Sequence, residues 1–169
     1  GTARAKVYPY QFKPVLKFLD NPDHRLLVAD DVGLGKTIEA GYILRELDAR
    51  GLVSTALVVC PARLTHKWQA ELRNRFDEHF DLKDGRSLLQ WARTVEQDQT
   101  PPPIRWIVSY ESARRPDLIR ALEELQPELD FVAFDEAHRM RNSETLTHKL
   151  GRAVCGLQGA RLLLSATPV

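Results

Sequence analysis

Residues 30–37 read D-D-V-G-L-G-K-T and hold the residue types that a phosphate-binding loop needs. Gly33 and Gly35 let the backbone turn several N–H groups toward phosphate oxygens. Lys36 can reach the β- and γ-phosphates of a nucleotide, and the Thr37 hydroxyl can hold Mg²⁺. The start of a helix behind such a loop adds its partial positive charge. Asp30 stands where the usual pattern opens with glycine, so the octet alone also fits an ordinary glycine-rich turn. A second segment decides between the two. Residues 131–136, F-V-A-F-D-E, are four apolar residues followed by two acids. A carboxylate at a strand end near a phosphate loop can bind Mg²⁺ through water, which makes Asp135 with Thr37 the candidate metal pair. The neighbouring Glu136 can orient or deprotonate an attacking water. An Asp-Glu pair also opens many helices and turns. Its presence in one chain with the octet is what favours a nucleotide site.

These groups must be positioned by elements that the hydropathy pattern outlines. Residues 26–29, L-L-V-A, read as a short buried strand before the octet, and 38–47 as the helix after it, closed by Gly51. An amphipathic helix is expected over 10–19. Residues 55–60 form a second apolar run bounded by Pro61, and 65–76 a helix with Trp68, Leu72 and Phe76 on one face. Residues 77–103 resist reading. Leu88, Leu89 and Trp91 suggest a short packed piece there, and 97–103 a solvated loop. Further strands are expected over 105–110, 131–134 and 161–165, with helices over 117–125 and 146–157. Trp68 and Trp106 read as core residues, and Cys60 as a reduced, buried strand residue.

Strands that are apolar throughout and alternate with helices imply an α/β fold, a mainly parallel sheet covered on both faces. Ligands of such sheets bind outside the carboxyl ends of the strands. The octet, residues 61–63, Ser109 with Tyr110, Asp135 with Glu136, and Ser165 with Thr167 all fall at such ends.

The chain of 169 residues has a net charge of +1, so nucleic-acid binding would need a local patch rather than a global basic field. Arg63, Lys67, Arg73, Arg75, Arg139 and Arg141 could supply one, although such runs are commonly a solvated helix face. No apolar stretch is long enough to span a membrane, and the start of the chain carries no secretory pattern. Cys60 and Cys155 lack zinc-ligand spacing. A cytoplasmic location is expected. The chain opens Gly-Thr-Ala and stops after S-A-T-P-V, which suggests one lobe, residues 1–169, of a longer protein.

The quartet Asp135-Glu136-Ala137-His138 resembles the D-E-A-H box of helicase-like ATPases. The wider segment A-F-D-E-A-H-R-M-R-N is similar to the Swi/Snf-type branch of that superfamily, and residues 29–41 resemble its bacterial, RapA-type members. In that branch Asp commonly takes the place of the first loop glycine, as Asp30 does here. Residues 8–11 (Y-P-Y-Q), V-C-P-A with Trp68 and Glu71, I-V-S-Y-E over 107–111, and L-L-L-S-A-T-P over 162–168 resemble the family's other motifs, in order.

The resemblance implies a three-layer αβα, RecA-like nucleotide-binding lobe. It implies that Gln11 reads the adenine, and that Asp31, Val32, Gly33, Leu34, Gly35, Lys36, Thr37 and Ile38 surround the phosphates of ATP. Asp135 would bind Mg²⁺ through water, and Glu136 would activate the hydrolytic water. His138, Ser165 and Thr167 would couple the nucleotide to the DNA side, and Pro61, Arg63, Ser109 and Tyr110 would lie near the DNA backbone. A second RecA-like lobe would complete the ATP site, and the whole would move along double-stranded DNA. The lobe alone is then expected to turn ATP over weakly at most. An RNA-directed helicase lobe and a non-catalytic nucleotide-binding scaffold are the alternative readings.

Overall fold

The computed structural model of the chain describes residues 26–30, 35–97 and 99–165. The helix expected over 10–19, together with Gln11, Asp31, Val32, Gly33, Leu34 and Thr167, lies outside them. The strands are β1 (Leu26–Asp30), β2 (Ala56–Cys60), β3 (Asp81–Leu82), β4 (Arg105–Ser109), β5 (Phe131–Phe134) and β6 (Ala160–Ser165). The helices are α1 (Lys36–Ala49), α2 (Thr65–Phe76), α3 (Gly85–Ala92), α4 (Tyr110–Ala113), α5 (Pro116–Leu125) and α6 (Leu146–Cys155). The strands form one sheet in the order β1-β6-β5-β2-β4-β3, and every pairing in it is parallel.

Strand residues alternate between two apolar layers, as the two-residue period of a pleated strand requires. Leu57 and Val59 of β2, Val132 and Phe134 of β5, and Leu163 of β6 pack with α3, α4, α5 and α6. Ala56, Val58 and Cys60, Phe131 and Ala133, and Leu162 and Leu164 pack with α1 and α2 on the opposite side. The result is a three-layer αβα fold.

The helix boundaries have local causes. Helix α1 ends in a Schellman motif: Gly51 takes φ +70°, its N–H donates to the Asp48 carbonyl, and the Leu52 N–H donates to the Leu47 carbonyl. Gly41 lies where α1 crosses α2, and a Cβ there would run into the Phe76 ring. Helix α3 is capped by Asp84, whose Oδ1 accepts from the Ser87 N–H at 2.8 Å. Its apolar side buries Leu88, Leu89 and Trp91, and the Trp91 Nε1–H donates to the Pro102 carbonyl at 2.9 Å. The expected short packed piece is therefore a full capped helix, and β3 is an added edge strand of two residues.

Cys60 is fully buried, and burial, with the nearby Asp135, Glu111 and Glu136 charges, pushes its thiol up to about 12. Trp106 is only partly buried, beside the edge strand β3 and under the Lys83 ammonium. Among the described residues no helix is long and apolar enough to cross a membrane.

Arg161, at the amino end of β6, is fully buried. Its guanidinium donates to the carbonyls of Leu129, Val154, Leu157, Gln158 and Ala160 at 2.6 to 3.2 Å. These include the carbonyls around the end of α6, where a cation is favoured by the helix dipole. Arg161→Met keeps the apolar volume but strands these carbonyls. It should destabilise the fold by on the order of 3 kcal/mol or more in urea unfolding. An unchanged midpoint would show that water or neighbouring N–H groups replace the guanidinium.

Candidate functional site

Parallel pairing places the carboxyl ends of all six strands on one edge. The chain leaves β2 for α2 on one face, whereas it leaves the adjacent β5 for α6 on the other. The loops after β2 and β5 therefore diverge and leave a crevice between them, which is the topological switch point of the sheet. Residues 61–63 and Asp135 with Glu136 flank it.

Asp135 is the centre of this edge and is only 4% exposed. Its Oδ1 accepts from the Lys36 Nζ at 3.2 Å, across 99 residues of sequence, and from the Glu136 N–H at 2.7 Å. Its Oδ2 accepts from the Trp68 Nε1–H at 2.9 Å. The Asp135 N–H donates to the Val59 carbonyl at 2.9 Å, extending the β2–β5 pairing by one step. The Asp135 carbonyl accepts from the Tyr110 hydroxyl at 2.6 Å. Both carboxylate oxygens and both backbone groups are thus fixed, so a buried acid here is matched rather than stranded.

Thr37 is buried beside Lys36 in the first turn of α1, and Gly35 caps that helix without a side-chain bond. Among the described residues no side chain caps the first-turn N–H groups, an arrangement that suits an anion. Ile38 is half-buried against the α1–α2 core.

Glu136 takes a left-handed backbone conformation, with φ 48° and ψ 49°. For a residue with a Cβ this costs on the order of 1 kcal/mol, and such conformations gather at functional sites. The Glu136 side chain meets two arginines. Arg63 donates to Oε2 at 2.6 Å, and the Arg139 Nε–H donates to Oε1 at 3.2 Å. Burial pushes the Glu136 carboxyl up, but the Arg63 and Arg139 contacts outweigh it and hold the group below the usual glutamate range. Arg139 also lies 3.7 Å from Glu111 and stacks over the Tyr110 ring. The second Glu111 oxygen accepts from the Ala62 N–H at 2.8 Å. Arg139 further lines an open groove of about 480 Å³ with Arg114, Thr145, Leu146 and Thr147.

His138 and Ser165 meet: the His138 Nδ1 and the Ser165 Oγ are 2.9 Å apart, linking the turn after β5 to the end of β6. The other expected positions are placed less uniformly. Tyr110 was expected near a DNA backbone, but it is fully buried and its hydroxyl is committed to Asp135. Burial, with the Asp135 charge beside it, keeps that phenol protonated far above its ordinary range. Pro61 is also buried. Both side chains are enclosed, so only the main chain at these two positions is left to face a DNA backbone. Ser109 is half-buried, and its hydroxyl caps α4 by accepting from the Ser112 N–H at 3.0 Å. Only Arg63 of the four is exposed.

Two contributors were missed by sequence reasoning. Trp68 lies on the apolar face of α2, yet its indole N–H reaches Asp135, and hydropathy does not report that hydrogen bond. Glu111 sits one residue after a strand-end Ser-Tyr pair and fixes the amide next to Arg63. Its acid type at a strand end was the available signal.

The family model described as SNF2-related domain matches residues 13–169. The chain is 33% identical over 177 aligned residues to the RNA polymerase-associated protein RapA of Actinobacillus succinogenes, covering 98% of this chain and 18% of that protein. It is 29% identical over 161 residues to an uncharacterized ATP-dependent helicase, YqhH, of Bacillus subtilis, covering 95% of this chain and 26% of that one. The Sulfolobus solfataricus SWI2/SNF2 ATPase core, solved in complex with dsDNA, superposes with a TM-score of 0.65 at 23% identity, covering 99% of this chain and 33% of that one. This last likeness is one of fold. The chain thus spans about a fifth to a quarter of the length of these curated relatives. The matched model covers nearly all of the sequence, and the chain belongs to the SNF2-related domain family.

Proposed function

We propose that this chain is the ATP-binding lobe of a DNA-dependent ATPase that moves along duplex DNA. The observation that carries the proposal is the convergence of Lys36, at the start of α1, on the Asp135 carboxylate at the end of β5. A lysine and an acid brought together from opposite ends of the sequence at a sheet's carboxyl edge are what a nucleotide phosphate and its metal require. Among the described residues no group of three His, Cys, Asp or Glu side chains could cage a metal without help. The available donors, the Thr37 hydroxyl and one Asp135 carboxylate, suit Mg²⁺, which is commonly held by one or two protein oxygens plus substrate phosphates.

Mg²⁺ with ATP would supply the charge neutralisation and the scissile anhydride. Lys36 would turn from Asp135 toward the phosphates, and the first-turn N–H groups of α1 would donate to them. Glu136 would accept a proton from the attacking water as the β–γ bridging oxygen leaves, giving ADP and inorganic phosphate. Gln11, Asp31, Val32, Gly33 and Leu34 are proposed to complete the nucleotide contacts, with Gly35 and Ile38 flanking Lys36 and Thr37. His138, Ser165 and Thr167 are proposed to pass the nucleotide state across the sheet edge.

Duplex DNA as the activator rests on the family and on the dsDNA bound by the Sulfolobus relative. Arg63 and the groove bearing Arg114 and Arg139 give the edge local positive charge that phosphates could meet. Binding should then be insensitive to sequence and weaken steeply with salt. A second lobe is proposed to supply transition-state arginines, so the activity belongs to the longer protein. The chain alone should show little turnover, and DNA-stimulated hydrolysis by it at the rate of a two-lobe enzyme would contradict this.

In the full-length protein, Glu136→Gln should abolish turnover, a loss of about 10² or more, while ATP binding persists. Retained turnover would overturn the assignment of Glu136, and a wild type without turnover would favour a scaffold. Trp68→Phe keeps the packing but leaves Asp135 Oδ2 without its donor, at a cost of about 1–3 kcal/mol. It should raise the Mg²⁺ concentration for half-maximal turnover. A variant with altered stability but an unchanged Mg²⁺ response would make Trp68 a core residue only.

A further inference from the structure

Arg63 is 61% exposed in its side chain, and it holds a Glu136 side chain that is only 16% exposed. The contact is a short charge-assisted bond, and among the described residues Glu136 is the ion-pair partner of Arg63. The two residues sit on the divergent loops after β2 and β5, so the pair bridges those loops at the switch point. With Arg139 on Oε1, both Glu136 oxygens are engaged by guanidinium groups.

The two arginines are anchored differently. Arg139 is also held near Glu111 and over the Tyr110 ring. Arg63 is held at its backbone: the turn of Ala62–Leu64 is fixed by the Ala62 N–H to Glu111 and by the Leu64 N–H to the Pro61 carbonyl. Its guanidinium is therefore placed by a rigid turn but can exchange one oxygen anion for another. A phosphodiester offers oxygens of the same kind as a carboxylate, and arginine forks onto both.

We propose that Arg63 is a positioning residue that couples phosphodiester binding to hydrolysis. Its guanidinium holds the Glu136 carboxylate in an unproductive pose, and a nucleic-acid phosphate that captures the guanidinium frees Glu136 to receive the water proton. Swapping one anion for another at Arg63 is close to balanced in energy. The release of counterions from a polyanion tips it, so the switch responds to DNA and not to solvent. Glu111 supports it by fixing the turn from which Arg63 projects. The proposal rests on the reading of Glu136 as the group that activates water.

The test measures ATP turnover of the full-length protein with and without duplex DNA, for the wild type, Arg63→Gln, Arg63→Lys and Glu136→Gln. Arg63→Gln should raise the DNA-free rate by at least about tenfold, part of the 10²–10⁴ that general-base assistance contributes, and shrink the stimulation by DNA accordingly. Arg63→Lys keeps the charge and should keep most of the stimulation. An unchanged or lower DNA-free rate in Arg63→Gln, with only a higher DNA concentration needed for stimulation, would make Arg63 a DNA contact alone and overturn the proposal. Turnover retained in Glu136→Gln would instead overturn the assignment of Glu136, whatever Arg63 does.

Discussion

A carboxylate taken out of water costs several kcal/mol unless its oxygens find donors, and Asp135 is the place where this fold meets that cost. Its donors come from three separate parts of the chain: Lys36 from α1, Trp68 from α2, and the adjoining backbone of Glu136. The Tyr110 hydroxyl, from the start of α4, closes on its carbonyl. Each partner is ordered by its own helix, so the carboxylate can be satisfied only when those helices have docked on the sheet. The same docking sets the Lys36 ammonium beside the acid and leaves Glu136 as the next residue, in a conformation it would not adopt freely. Site geometry and core packing are one constraint seen from two sides.

The sheet explains why this happens at one edge. With every pairing parallel, strand ends gather on one side, and helices leaving in opposite directions open the crevice between β2 and β5. Below it, the alternation of Leu57 and Val59 against Ala56, Val58 and Cys60 leaves no room for a register slip, since one residue of slip would send each layer's side chains to the wrong face. At the far edge Arg161 gathers the carbonyls of the α6 end, which secures β6 between β1 and β5. The two charged devices are opposite in character. Arg161 is sealed and structural, while Arg63 is exposed and holds the Glu136 carboxylate.

Much of this was legible in the sequence because strongly periodic or wholly apolar segments have few alternatives. The helix expected over 65–76 is Thr65–Phe76, and the strand over 131–134 is Phe131–Phe134. That Lys36 and Asp135 share one edge was legible because residue types at strand ends are constrained by chemistry. Legibility failed where tertiary context decides. Helix α3 is short and hides its cap at Asp84 in a polar stretch, and β3 exists only through its pairing with β4. Tyr110 carries a polar group that pattern reading sends outward, but its partner is 25 residues away and inside. Trp68 was read as core, which it is, while its N–H does the more specific job of aiming Asp135. The Arg63 to Glu136 pair spans 73 residues and no local rule anticipates it.

The central claim is that one fixed carboxylate at the end of β5 organises the nucleotide chemistry. Asp135→Asn in the full-length protein tests it most directly, because it removes the charge at nearly constant size. The measurement is Mg²⁺-dependent ATP turnover, taken alongside the thermal unfolding midpoint. The account predicts a folded protein whose turnover falls by about 10² or more at any Mg²⁺ concentration, since the metal loses its protein anion. A folded variant that turns over ATP at the wild-type rate, with the wild-type Mg²⁺ response, would contradict it.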